Sequence, residues 1–167
     1  MQSIINSVMQ EMVMYEKGQP KHIQHFLKVH AFAKIIGQQE HLDDSTMFTL
    51  ELASLVHDIG INPSRKKYNS SAGEYQQIEG PPLARCMLEK YHLQPEIVDR
   101  VCYLVAHHHT YTNIEGLDYQ ILVEADFLVN LYEDQSTEAS IRSALSHCFC
   151  TKTGRWLLQT MFLSESS

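Results

Sequence analysis

Apolar residues return every three or four positions along almost the whole chain, the spacing of one buried helix face, and no stretch alternates convincingly at the two-residue period of a strand. The stripe Ile5, Val8, Met9, Met12 and Val13 predicts a first helix from Ile4 to Glu16, stopped by Lys17-Gly18 and Pro20. Phe26, Val29, Phe32, Ala33 and Ile36 mark a second, from about Lys21 to Gln39. Asp43-Asp44-Ser45 supplies acidic N-terminal caps for a third, Thr46 to Ile59. The pattern then breaks over Gly60 to Glu79, a stretch with Ser, Asn and Gly that is expected to form the main loop. Pro81-Pro82 suits the first turn of a fourth helix, to about Tyr91, and Pro95 opens a fifth, to about His108. Thr110 to Gly116 is a polar connection, followed by helices over Asp118 to Tyr132, Thr137 to Phe149 and Arg155 to Phe162. The fold class is therefore all-α, and at 167 residues a single domain over 1–167 is expected, a helical bundle.

Candidate chemistry lies where polar residues interrupt the apolar stripes. In Leu50 to Gly60, LELASLVHDIG, the stripe Leu52, Leu55, Val56 and Ile59 carries His57-Asp58 in its last turn. His25 shares a face with Val29, and Asp126 interrupts the nearly apolar run Ile121 to Val129. Each alone is most simply a hydrogen-bonded core residue. Together they are four nitrogen and oxygen donors on three apolar helices, and sharing a cation offsets the penalty of burying them. Imidazole with carboxylate suits one divalent transition metal: Fe, Mn, Zn, Co or Ni.

Composition narrows the class of function. A hydrophobic content of 44% and a charged content of 20% describe an ordinary globular protein, and a formal charge of -7 argues against a duplex nucleic-acid partner. No apolar run reaches membrane-spanning length, and Met1 to Tyr15 has no signal-peptide core, so a cytoplasmic protein without a membrane partner is expected. Cys86, Cys102, Cys148 and Cys150 form no zinc ladder and are expected to be reduced thiols, three of them buried in helices. The Met-rich first helix and the Trp156 helix offer apolar faces to the core or to a second subunit, which makes a homodimer one expectation.

The chain resembles the HD-domain metal-dependent phosphohydrolases. His25 in HFLKVHAFAKIIG, His57-Asp58 in LASLVHDIG and Asp126 in ILVEADFLVNLY follow that superfamily's H…HD…D signature in order, spacing and apolar setting, over about Lys21 to Glu133. The resemblance implies an all-α fold with His25, His57, Asp58 and Asp126 around one metal ion. Many two-metal members carry further histidines between the HD pair and the last Asp. Here Tyr75 to Pro82, YQQIEGPP, has none, and the second region reads His107-His108-His109, so the resemblance favours one ion.

The implied activity is hydrolysis of a small phosphate ester, such as a nucleotide or phosphodiester, by metal-activated water. Asp58 is both ligand and the group that takes or orients a proton from that water. His107 and His108 are candidates to stabilise phosphate charge or donate a proton. Glu79 is a candidate second-metal ligand or water-orienting base, though as an acid near a helix start it more simply caps the Pro81 helix or forms a salt bridge. Arg65, Lys66 and Lys67, which follow the HD turn, are the first choice to bind the small phosphorylated substrate, with Tyr111 at the entrance. Two alternatives are a di-iron HD-type oxygenase, against which the missing histidine weighs, and a non-catalytic nucleotide-binding module, against which the intact ligand set weighs.

Overall fold

In the computed structural model, residues 1–163 are described, and among them the chain forms nine α-helices and no strand. They are α1 (Gln2–Tyr15), α2 (Pro20–Gln39), α3 (Asp44–Val56), α4 (Ile61–Tyr68), α5 (Gly73–Glu89), α6 (Pro95–His107), α7 (Leu117–Glu133), α8 (Glu138–His147) and α9 (Lys152–Phe162). α3 is the central rod. Every residue from Phe48 to Val56 is buried, because α1, α2, α6 and α7 pack around it. α7 is almost as deeply buried and also contacts α2 and α9. Ile36, Leu52, Leu55, Leu104, Ile121 and Leu122 fill the space between these helices. The chain's start is tied in as well, since Ile5, Val8 and Met12 of α1 join the core.

Local chemistry explains several boundaries. Asp43 caps α3 by accepting from the Ser45 and Thr46 amides, as the sequence predicts. Thr137 and Thr151 cap α8 and α9 in the same way. No helix among the described residues is long and apolar enough to cross a membrane.

The long loop expected over Gly60 to Glu79 does not form. Its first half is α4, which accommodates Pro63 in its first turn, where a missing amide hydrogen is harmless, and which ends at Asn69 in the left-handed conformation, φ 52°. Its second half belongs to α5, which begins at Gly73 and runs through Pro81 and Pro82. The prolines lie inside the helix instead of opening it. Tertiary contact overrides their local signal: Gly60 lies against α5, where a Cβ would sit 2.7 Å from the Gln76 carbonyl oxygen and 2.9 Å from the Gly80 amide nitrogen. The cysteines also depart from expectation. All four are free thiols, but only Cys102 is buried, Cys148 is half-buried, and Cys86 and Cys150 are exposed.

Candidate metal centre

α3 ends at Val56, so His57 and Asp58 occupy the turn that follows it. His57 is held there because its Nδ1 donates to the Ser54 carbonyl at 2.9 Å. A carbonyl only accepts, which assigns the hydrogen to Nδ1 and, in the neutral ring, leaves a lone pair on Nε2. That lone pair faces His25 Nε2, 3.3 Å away on α2. Asp126 Oδ1, from the middle of α7, is 3.1 Å from His25 Nε2 and 3.6 Å from His57 Nε2. Asp58 Oδ2 completes the group at 3.4 Å from His25 and 3.5 Å from His57. His25, His57 and Asp126 are buried, while Asp58 opens to a cleft of about 360 Å³.

These separations, 3.1–3.6 Å, are close to those of donors that could share one ion. Donors about 2.1 Å from a cation lie roughly 3.0–3.4 Å from one another in octahedral or tetrahedral coordination. Two imidazole nitrogens facing each other beside two carboxylates need a positive charge among them, and in the protein alone a proton supplies it. Burial lowers the pKa of His57, but Asp58 and Asp126 outweigh it and raise it to about 9. The two carboxylates are held far below their usual range: burial opposes this, and the imidazoles overcome it, His57 for Asp58 and His25 with His57 for Asp126.

Asp58 faces two ways. Its Oδ1 lies 3.4 Å from the Nε2 of His108, whose Nδ1 donates to the Val105 carbonyl. Asp58, His108 and His109 form a second donor group that shares the carboxylate with the first. Several atoms here are buried and lack a hydrogen-bond partner: His108 Nε2, His109 Nε2 and Gln76 Oε1. Burial and the neighbouring His108 pull the His109 pKa down to about 4, which keeps its ring neutral near pH 7. Gly73 makes room for that ring, since a Cβ there would come within 2.7 Å of it. The donor chemistry and the orphaned polar atoms both fit a divalent cation.

The other residues singled out from sequence divide sharply. His108 is at the centre. His107, its neighbour, is turned away, with its ring stacked 4.1 Å from that of Tyr103 and its Nδ1 bonded to the Tyr103 carbonyl. Glu79 lies within α5, too far along it to act as a cap, and accepts from Lys67 at 2.6 Å and Tyr68 at 2.8 Å. The basic run is the end of α4 and not a loop. Arg65 lines the cleft, Lys66 is exposed, and Lys67 is turned to Glu79. Tyr111 does not line the cleft and packs edge-on against Phe127 at 4.9 Å; burial and the charge of Asp126 push its hydroxyl up to about 12.

Residues not anticipated also border the cleft: Lys21, His22, Gln76, His109, Asn130 and Glu133 among them. Arg65 donates to His22 Nε2 at 3.3 Å, and His22 Nδ1 donates to buried Glu16 at 2.9 Å, so the guanidinium is steadied at the rim. The one available signal was the run of three histidines, in which helix geometry turns the first residue away from the next two.

Fold and site together define an all-α protein with a buried His/Asp centre suited to a divalent cation. The HD domain family model matches residues 23–145, and the chain belongs to that family. The crystal structure of a "predicted HD superfamily hydrolase" from an uncultured Thermotogales bacterium is similar at 24% identity, with a TM-score of 0.64, over 96% of this chain and 83% of that one; at this identity the likeness is one of fold. No curated protein matches the chain.

Proposed function

We propose that the protein is a metal-dependent phosphohydrolase that cleaves a small phosphate ester, with His25, His57, Asp58 and Asp126 holding the cation. The observation that carries this reading is the approach of the His25 and His57 Nε2 atoms to each other and to both carboxylates, at 3.1–3.6 Å, at the foot of an open cleft. Membership of the HD family supports it, as does the word hydrolase in the name of the Thermotogales protein. A bound divalent cation would polarise a phosphoryl oxygen and lower the pKa of its water to near neutrality. Asp58 combines ligation through Oδ2 with an Oδ1 placed to take or orient the proton of that water. Arg65 and Lys21, which both line the cleft, offer the phosphate positive charge.

Stripping the protein with a chelator and assaying phosphomonoesters and phosphodiesters, nucleotides included, tests this reading. Hydrolysis is expected to disappear and to return with Mn, Co, Fe, Ni or Zn. Hydrolysis at the parent rate after complete stripping would refute it.

A specific observation favours a second cation: the buried, unpartnered His108 and His109 Nε2 atoms, whose residues group with Asp58. The unpartnered Gln76 side-chain oxygen belongs to a residue that lines the same cleft. Elemental analysis after anaerobic purification separates the cases, with two ions per chain supporting the shared-carboxylate arrangement. Two irons together with oxygen consumption would replace hydrolysis by the oxidative reading.

A further inference from the structure

His25 differs from the other imidazoles of the centre in what stands behind it. His57 and His108 turn Nδ1 to backbone carbonyls, each at 2.9 Å. His25 turns Nδ1 to a carboxylate: Glu133 Oε2, at the end of α7, lies 3.3 Å away. The other oxygen of Glu133 is held at 2.6 Å by Lys28, one turn beyond His25 on α2. Glu133 is largely buried and borders the cleft.

We infer that Glu133 is the positioning residue for His25, accepting its Nδ1 hydrogen so that the Nε2 lone pair is fixed toward the cation and strengthened as a donor. The inference rests on His25 being a metal ligand. A carboxylate accepts and never donates, so Glu133 holds a hydrogen on Nδ1; once a cation displaces the hydrogen that Nε2 shares with Asp126 Oδ1 at 3.1 Å, the neutral ring has only Nε2 to offer. A charged acceptor also polarises the ring more than a backbone carbonyl does, and groups behind ligating histidines typically change metal affinity by about 10–100-fold. Lys28 occupies the opposite oxygen, so it orients the carboxylate without competing for His25. The competing account is a plain clasp between α2 and α7, in which Glu133 and Lys28 matter alike.

Cobalt(II) titration of the metal-free full chain separates the two, because it reads both affinity and the visible spectrum of the ion. Glu133→Ala is expected to weaken cobalt binding by about 10–100-fold and to shift the absorption bands. Glu133→Gln keeps an acceptor and loses the charge, so a smaller loss is expected, about threefold to tenfold, and this variant carries the test if Glu133→Ala does not fold. Lys28→Met should stay within about twofold of the parent, since it removes only the outer partner. Parent-like affinity and spectrum in Glu133→Gln and Glu133→Ala would overturn the inference. So would a loss in Lys28→Met as large as in Glu133→Ala. His25→Ala binding cobalt as tightly as the parent would instead overturn the reading of His25 as a ligand, on which the inference stands.

Discussion

In the proposed reading, a cation takes the place that a proton holds beside His57. Below its ordinary pKa of 6.5 the ring is protonated folded or unfolded, and because the folded value is raised to about 9, the imidazolium stabilises the metal-free fold fully at pH below 6.5 and loses that effect as pH rises through about 9. Asp58 and Asp126 work in the opposite sense: their depressed values stabilise above the ordinary 3.8 and fail as pH falls well below it. Thermal unfolding of the metal-free protein is therefore expected at lower temperature at pH 9 than at pH 6.5, and an unchanged or higher midpoint would contradict the pairing. A cation must expel the proton. Calorimetry at pH 7 in buffers of different ionisation heat should show about one proton released per ion bound, and no release would contradict a protonated His57. At the rim, Arg65→Ala is expected to raise KM for phosphate esters about tenfold with little change in kcat, the equivalent of one charge-assisted hydrogen bond. Lys66→Ala and Lys67→Ala should change neither, because those side chains turn elsewhere.

The HD turn meets α5 at a glycine. Gly60 lets the turn touch the α5 backbone at Gln76 and Gly80, and Gln76 lines the same cleft as Asp58. Gly60→Ala is expected to destabilise the protein by about 1–3 kcal/mol in chemical denaturation, since the nearest neighbours are backbone atoms that cannot rotate aside. Metal affinity should fall with it, and a variant with parent stability would show that the contact is looser than this. The same contact explains what the sequence could and could not reveal. His25, His57, Asp58 and Asp126 stood out because each is a polar residue on an apolar stripe, and helical period alone placed seven of the helices near their observed spans. α4 and the first two turns of α5 were hidden, because INPSRKKY is polar and Pro81-Pro82 signals a start where the helix is already under way. Glu133 could not be singled out, and Gln76 and His109, though in stretches the sequence drew attention to, could not be assigned to the cleft. Their importance comes from which helix they meet across the core, and one-dimensional spacing carries no record of that.

At the scale of the whole molecule, a buried framework apart from the metal holds the bundle together. Glu124 of α7 is fully buried and accepts from Gln120, from the Cys150 and Thr151 amides and from the Thr151 hydroxyl, which ties α7 to the start of α9. Gly154 is required opposite it, since a Cβ there would collide with the carboxylate. Glu124→Ala strands several buried donors and is expected to lower stability by about 3 kcal/mol, measured by denaturant unfolding, while cobalt affinity of the folded protein stays near the parent value. A large affinity loss in that variant would show that the site depends on the α7–α9 junction. The candidate metal centre is drawn from α2, the turn after α3, and α7, with His108 and His109 from the turn after α6, so it exists only when the central helices are packed. If this packing builds a cation site used for hydrolysis, Asp58, the residue common to both donor groups, is indispensable to it. Bound metal and phosphate-ester hydrolysis should be measured together on the parent and on Asp58→Ala, with helical content checked by circular dichroism. The variant is expected to keep its helices and to lose both bound metal and hydrolysis; a folded variant with as much metal and as fast a rate as the parent would refute the proposed function.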